Sequence, residues 1–394
     1  MNKQNLLGGA IALALTGAFT SAQAEPLITD YKEATSAYED AYISGNFNTN
    51  DGNQDQASYN LDLTLDYEKV FSSPNRNTKI DFLGTGSSSK GGNDGDKSSS
   101  TYQALGAATV DNYFTTPNSN AAFWYGKGEV GVQKDQEDPF TKATAGIGYG
   151  RVVNVTPMAY AIRIMQKLRE EGFLKADPSN DIYQQVAVIV DKESEYKSKY
   201  GFDDYKQYWL QDIQKVIETS GMVQGDFNAR AVVQTYDVLE NERVSTRKNG
   251  WLVRAGVGAV LSNYDGSDGK PAVEVGAEYH RPINNKTQFS NEAIATATLD
   301  DDDNGYNFNN AMSLTYELSD MIDWENKWTL AYATSDDTDD VTTNTLSSAF
   351  YYSLTNQLDF GVEGKLTKLD DSISNNGNDE VDKSLTMGVK YRLK

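Results

Sequence analysis

The chain offers a narrow set of reactive side chains: one histidine, 57 carboxylates, 35 basic residues and no cysteine in 394 residues. Without cysteine there is no disulfide, no thiolate metal site and no haem attachment through C-x-x-C-H. His280 is the one imidazole, so it alone could act as a histidine general base in a hydrolase. No nucleophile is spaced to partner it, and a zinc site would need several carboxylates at ligand spacing. A rim residue touching Pro282 or a neighbouring segment is the simpler role, and the expectation is a non-enzyme. Asp300-x-Asp302-x-Asn304-Gly305 matches the first half of an EF-hand loop, but Ala311 stands where its bidentate carboxylate belongs. Calcium held by Asp300, Asp302 and Asn304 would therefore need carbonyls or other loops to complete it. A solvated acidic loop explains the pattern more simply. Gly146-x-Gly148-x-Gly150 lies in a strand pattern, where glycine marks a kink or a close approach rather than a phosphate loop.

Most of the charge follows a period of two, the side-chain repeat of a β-strand. Tyr59, Leu61, Leu63, Leu65 and Tyr67 alternate with Asn60, Asp62, Thr64, Asp66 and Glu68. Val273, Val275, Ala277 and Tyr279 alternate with Glu274, Gly276, Glu278 and His280. Tyr306, Phe308, Met312, Leu314, Tyr316 and Leu318 share a face against Ser313, Thr315 and Glu317. Leu358, Phe360, Val362 and Leu366 oppose Asp359, Glu363 and Lys365. Trp251–Leu261 and the runs around Trp328 and Leu346 read as further strands, as does Lys286–Leu299 less regularly. So do Ala41–Asn48, Lys79–Ser87, Tyr102–Tyr113, Ala122–Gln133 and Lys142–Asn154. The last run alternates Leu385, Met387, Val389, Tyr391 and Leu393 with Thr386, Gly388, Lys390 and Arg392.

That closing run resembles the terminal assembly signal of bacterial outer-membrane β-barrels. Thr386-x-Gly388-x-x-Tyr391-x-Leu393 carries the pattern, with Leu393 in the usual aromatic place and Lys394 after it. The start of the chain agrees. Lys3, the apolar run Leu6–Leu15 and Ala22-Gln23-Ala24 form a secretory signal, cleaved after Ala24. The expected fold is an all-β transmembrane antiparallel barrel of about fourteen strands, an even number as single-chain bacterial barrels require. Mean hydropathy of −0.60 suits such a barrel, because only alternate residues face lipid. The breaks alternate in length. Short ones hold Ser73–Arg76, Pro282–Asn285 and Thr355–Gln357. Long ones hold Ser88–Ser100, Ser262–Lys270, Asp300–Asn304, Ser335–Thr342 and Asp370–Asp382. From a periplasmic N-terminus every long break falls outside.

One break is different. Between residues 155 and 247 the period becomes helical, which divides the barrel into strands of 25–154 and of 248–394. Thr156 is an N-cap candidate with Pro157 at the first helical position. Met158, Ile162, Met165 and Leu168 make an apolar stripe ending at Gly172. Asp177-Pro178-Ser179 opens a second helix running through Tyr196. A third spans about Asp203 to Ser220 and a fourth Asn228 to Arg243. Strand parity puts this insertion in the periplasm, as a bundle below the barrel or a plug within it. Tyr196, Tyr200, Tyr205, Tyr208 and Trp209 gather near its middle, as core packing or as a docking surface.

In such a barrel the polar face lines the lumen. The expected lining includes Asp62, Asp66, Glu68, Arg254, Glu274, Glu278, Glu317, Asp359, Glu363, Lys365, Lys390 and Arg392, with Lys79, Asp81, Lys127 and Glu129. Carboxylates outnumber cations there. By resemblance to porin-like channels the expected role is passage of small hydrophilic solutes, with preference for cations. An export or assembly component whose insertion docks a periplasmic protein, or a structural or receptor barrel with calcium-binding loops, are the rivals. Expected partners are outer-membrane lipid, lipopolysaccharide and the barrel-assembly machinery. A net charge of −22 argues against nucleic acid.

Overall fold

The computed structural model describes residues 26–114, 121–300, 304–335, 338–371 and 380–393. The signal segment and its cleavage site lie outside them. Fourteen antiparallel strands close on themselves, each paired with its sequence neighbours and the last with the first. They are β1 (Ser36–Asn50), β2 (Ser58–Ser72), β3 (Arg76–Lys90), β4 (Ser99–Tyr113), β5 (Ala122–Gln133), β6 (Phe140–Asn154), β7 (Lys248–Ser262), β8 (Lys270–Asn284), β9 (Thr287–Thr298), β10 (Gly305–Ser319), β11 (Ile322–Ser335), β12 (Thr338–Ser353), β13 (Leu358–Asp370) and β14 (Asp382–Arg392). Closure is made by Tyr42, Ser44 and their neighbours opposite Arg392 and Lys390, with Leu393 donating its backbone N–H to Ala41. This is the architecture of an outer-membrane β-barrel. Among the described residues no helix is long and apolar enough to cross a membrane.

The alternating pattern decides which face looks outward. Val257 on β7 and Leu385 on β14 are each about two-thirds exposed, on opposite sides of the barrel. Exposed apolar side chains over the whole outer surface of a closed sheet are stable only against lipid.

The wall is not uniform. On the inner face of β4–β7, Phe123 and Tyr125 are fully buried, packed with Tyr113 and Leu252. They fit because the strand beside them carries glycine. A Cβ on Gly148 would sit 2.2 Å from the Phe123 ring and one on Gly146 2.6 Å from the Tyr125 ring, with backbone oxygens of β7 equally close. The glycine run is thus a close approach, with aromatic rings filling the space that side chains would need.

Four helices occupy the break after β6: α1 (Thr156–Glu170), α2 (Asn180–Asp191), α3 (Glu193–Thr219) and α4 (Ala229–Glu240). Met158, Ile162, Met165 and Leu168 are all buried in one core with residues of the other helices. The helices form two hairpins joined by a β-bridge between Leu174 and Val223. Each hairpin turns on a left-handed glycine, Gly172 and Gly221, the usual stop for a helix. Asn228 then caps α4 by accepting from the N–H groups of Arg230 and Ala231.

Several sequence expectations need correction. Val155, not Thr156, is the N-cap of α1. The Thr156 hydroxyl is instead spent on the stem, donating to Asn154 and accepting from the N–H of Arg247. The second helix stops at Asp191 rather than Tyr196. The next starts at once and bends at Gly201, where φ is 79°. The long outer break at Ser335–Thr342 is mostly strand, with only residues 336 and 337 between β11 and β12. Conversely, β4 and β5 are joined by an eight-residue segment, 114–121, at the helix end. Loop length therefore follows the two ends of the barrel only in part. The chain before β1 also does more than lead in: Ile28 and Tyr31 are buried in the helical core.

The fit of rings to glycines gives a sharp test. Gly148→Val must displace Phe123 and the β7 backbone, at a cost of about 3 kcal/mol or more. Urea titration of the folded, heat-modifiable form should show a midpoint well below that of the parent, whereas Gly128→Val, in open space on the outer wall, should leave it nearly unchanged.

Candidate functional site

The strand register places Asp62, Asp66, Glu68, Arg254, Glu274, Glu278, Glu317, Asp359, Glu363, Lys365, Lys390 and Arg392 on one face of the sheet, opposite the exposed apolar side chains. Ion pairs between strands that are not neighbours identify this face as the interior. Lys127 on β5 lies 3.3 Å from Glu274 on β8, and Lys248 on β7 lies 2.5 Å from Glu68 on β2. Lys390 on β14 lies 3.8 Å from Glu325 on β11. Such chords can only run through the barrel.

The interior has two unlike sides. Along β3–β9 most of the charges are buried and mutually paired. Lys127 and Lys142 bridge Glu129 and Glu274 in one cluster, where Glu274 is 1% exposed. Arg254 bridges Glu278 and, at 3.8 Å, Asp111 in a second. Lys79 joins Glu68 and Asp81. Buried charges are tolerable only when paired in this way. Along β10–β14 and round to β2 the inward charges are far more open, with Asp66, Lys327 and Lys365 exposed to the interior. A polar passage therefore runs along one wall, with the opposite wall packed shut.

The helices close on this interior from one end. Arg163, on α1, pairs with Glu317 near the end of β10. Arg247, fully buried in the stem before β7, lies 2.5 Å from the same carboxylate, and the N–H of Ser245 donates to it at 2.9 Å. Arg243 pairs with Asp359 at the start of β13, and the Thr246 hydroxyl donates to Asp40 on β1. Glu317 and Asp359, two of the expected lining residues, are thus latch points for the insertion. The three arginines escaped the sequence reading. Arg163 alone left a signal, as a charge between Ile162 and Ile164 on a helix face that has to be buried.

The cover is incomplete. A cavity of about 760 Å³ separates the helices from the β1–β2 edge of the mouth. Tyr38, Asp40 and Arg392 line it from the barrel, and Tyr160, Asp191 and Lys197 from the helices. Asp191 is also a tether. Its carboxylate accepts from the Ser36 hydroxyl at 2.9 Å and the Tyr31 hydroxyl at 3.2 Å. Burial pushes this carboxyl up to about 7, with Glu33 and Glu195 adding to the shift and the two hydroxyls opposing it.

Other sequence candidates fall out differently. His280 is 2% exposed on the inner wall, bonded through Nδ1 to the Ser290 hydroxyl at 2.9 Å. Its Nε2 lies 3.8 Å from Glu278 and 3.7 Å from Glu292. A serine, the histidine and carboxylates do meet here on the inner wall, with His280 and Ser290 inside it and Glu292 44% exposed. Asp300 lies 2.6 Å from Lys270 and its N–H donates to Asn304. Asp302 lies outside the described residues, and no group of three metal-binding side chains occurs among them. Tyr205 and Trp209 belong to the helical core. Tyr196, Tyr200 and Tyr208 form a stacked row on its surface.

A model of a protein family of unknown function, DUF481, matches residues 236–354, from α4 to the end of β12. No curated protein matches. Among solved structures, the chain is similar to the COG4313 outer membrane channel from Pseudomonas putida F1, at 8% identity over 92% of this chain and 97% of that one, with a TM-score of 0.34. It is similar to CdiB from Escherichia coli at 8% identity over 95% of this chain and 63% of that one, with a TM-score of 0.40. It is similar to the Acinetobacter baumannii outer membrane protein Omp33 at 9% identity over 91% and 98%, with a TM-score of 0.28.

Two tests follow from the latch. Glu317→Gln leaves Arg163 and Arg247 without their carboxylate, and breaking a buried pair costs about 3–5 kcal/mol. Amide exchange in residues 156–247 should accelerate markedly while the strands far from the mouth keep their protection. The Asp191 tether should depend on pH. A carboxyl raised in the folded state binds its proton there while the unfolded chain has lost it. Its contribution is therefore greatest at acid pH and falls as pH rises from about 4, the ordinary value, to about 7. Exchange of residues 26–36 should be slower at pH 5 than at pH 8 after correction for the intrinsic rate, and Asp191→Asn should flatten that difference.

Proposed function

We propose that the chain is a channel of the bacterial outer membrane that passes small hydrophilic solutes, its inner mouth covered by the helical insertion. The observation that carries this reading is the contrast between the two inner walls. Most charged side chains are paired where the barrel is packed, yet Asp66, Lys327 and Lys365 stand open to the interior on the other side. Isolated charges facing a dry cavity would be prohibitively costly, so that wall faces water. The cavity between the helices and the ends of β1 and β2 borders this wall at Asp40 and Arg392, and in this reading solute passes the helices there.

The apolar outer belt supports placement in lipid, and the even strand number supports a Gram-negative outer membrane. The insertion then lies in the periplasm, since both ends of the chain share its end of the barrel. Along the open wall, the five carboxylates Asp40, Asp62, Asp66, Glu325 and Glu363 outnumber the four cations Lys327, Lys365, Lys390 and Arg392. Cations should be drawn in over anions.

Reconstitution in planar bilayers tests the reading. The expected result is stepwise conductance with a reversal potential of cationic sign under a KCl gradient. Asp62→Asn with Asp66→Asn should lower the cation-to-anion ratio by a factor of about two to five, as for charges a few ångströms from an ion in water. Absence of steps, or anion preference in the parent protein, would overturn it.

A further inference from the structure

The outer surface breaks its own rule in one place. At mid-height the outward positions of other strands are apolar or glycine: Leu61 to Leu65 on β2, Val253 to Val257 on β7, Leu385 to Val389 on β14. On four consecutive strands they are polar. The register turns Asn291 of β9, Asn310 of β10, Asn326 of β11 and Ser348 of β12 outward, because they pair with outward Tyr279, Leu330, Leu314 and Asn326. None sits at a rim. Phe289 and Ala293 flank Asn291, Phe308 and Met312 flank Asn310, Trp324 and Trp328 flank Asn326, and Leu346 and Phe350 flank Ser348 on the same outer face.

These groups are only half satisfied. Asn291 donates to Asn310 at 3.0 Å, and the Trp324 indole donates to Ser348 at 2.9 Å. The Asn326 amide nitrogen is enclosed and has no partner among the described residues. Around Asn326 and Ser348 the wall is indented by a groove of about 340 Å³, bordered by Met312, Trp328, Leu346 and Leu366. An acyl chain could fill the groove but could not bond an amide, and an unbonded polar group at that depth is costly. Whatever covers this patch in the membrane must bring donors and acceptors of its own.

We propose that the occupant is a second copy of this chain, docked through the outer face of β9–β12. Two features select it. The patch carries no charged side chain, and a carboxamide both donates and accepts, so the surface is complementary to itself. The membrane also permits only a symmetry axis along its normal, which keeps every residue at its own depth. A polar band at one height then meets the same band on its neighbour, in an isologous pair or a closed ring. An unrelated protein has no such constraint to match it. Ala293, Ala295 and Ala297, small outward residues on β9, leave room for a close approach beside the groove.

The chain has no cysteine, so single-cysteine variants report contact directly. Asn326→Cys and Ser348→Cys, in the full-length protein in outer-membrane vesicles, should crosslink under mild oxidation to a species of doubled mass. Ile80→Cys, facing outward on β3 across the barrel, should not. In gentle detergent the parent should show a multiple of the chain mass, and Asn310→Leu with Asn326→Leu should reduce it to one chain while the heat-modifiable barrel persists. A parent of single-chain mass with no crosslink at either patch position would overturn the proposal, as would crosslinking at Ile80 instead. A crosslinked product whose mass requires a different protein would overturn it equally. None of these readouts depends on whether the barrel conducts.

Discussion

Backbone hydrogen bonding in a medium that offers none is the constraint behind the whole molecule. Each strand has one row of N–H and C=O groups on either side, and lipid can satisfy neither. The pairing of β14 with β1 removes the last two free rows. It fixes the register of every strand between them, because a slip of one residue anywhere would turn an apolar face inward. Once the sheet is closed, the side chains face two solvents. Outward positions must be apolar, and inward positions may be polar only if they find water or one another.

The interior shows both solutions side by side. Where Phe123 and Tyr125 lean onto the glycines of β6, the wall is thick and dry, and most of the charges around it pair. On β12 to β14 the Tyr351 ring lies over Gly361 and Lys390 sits between Tyr351 and Tyr42, while Lys327 and Lys365 stay open to the interior. The glycines of β6 thus do more than bend a strand. By letting aromatic rings lie flat against the backbone, they confine the passage to the opposite wall.

Much of this was legible in the sequence, and for a physical reason. Alternation is local and is enforced by two immiscible surroundings, so each strand declares its faces without reference to the others. Even the irregular β9 was visible as a run. Contacts made across space were not. Arg243 and Arg247 sit in a polar stretch that reads as a linker, and only the closed mouth shows that Asp359 and Glu317 stand opposite them. Thr156 looks like a cap because caps and stem contacts use the same hydroxyl chemistry. The Ser335–Thr342 break looked long because its residues are acidic and polar, yet strands that extend beyond lipid no longer need apolar outer faces. The bond between His280 and Ser290 was hidden for a related reason: it depends on cross-strand register, which no single strand reveals.

The same distinction orders the molecule by strength. The barrel is held by ladders on both sides of every strand, and no part of it opens without exposing backbone to lipid. The insertion is covalently continuous with β6 and β7, but otherwise meets the barrel through side chains: three arginines on two carboxylates, one threonine on Asp40, and Asp191 on two hydroxyls. Several of these groups are buried, so breaking one pair is costly, but they are few, whereas every strand is held by a ladder along both of its edges. The helices also carry a core of their own, extended by Ile28 and Tyr31, and need not unfold to shift. The helical unit is thus an attachment to the barrel and not part of its wall, joined to it covalently only through the Asn154–Arg247 stem, where Thr156 ties both strands together.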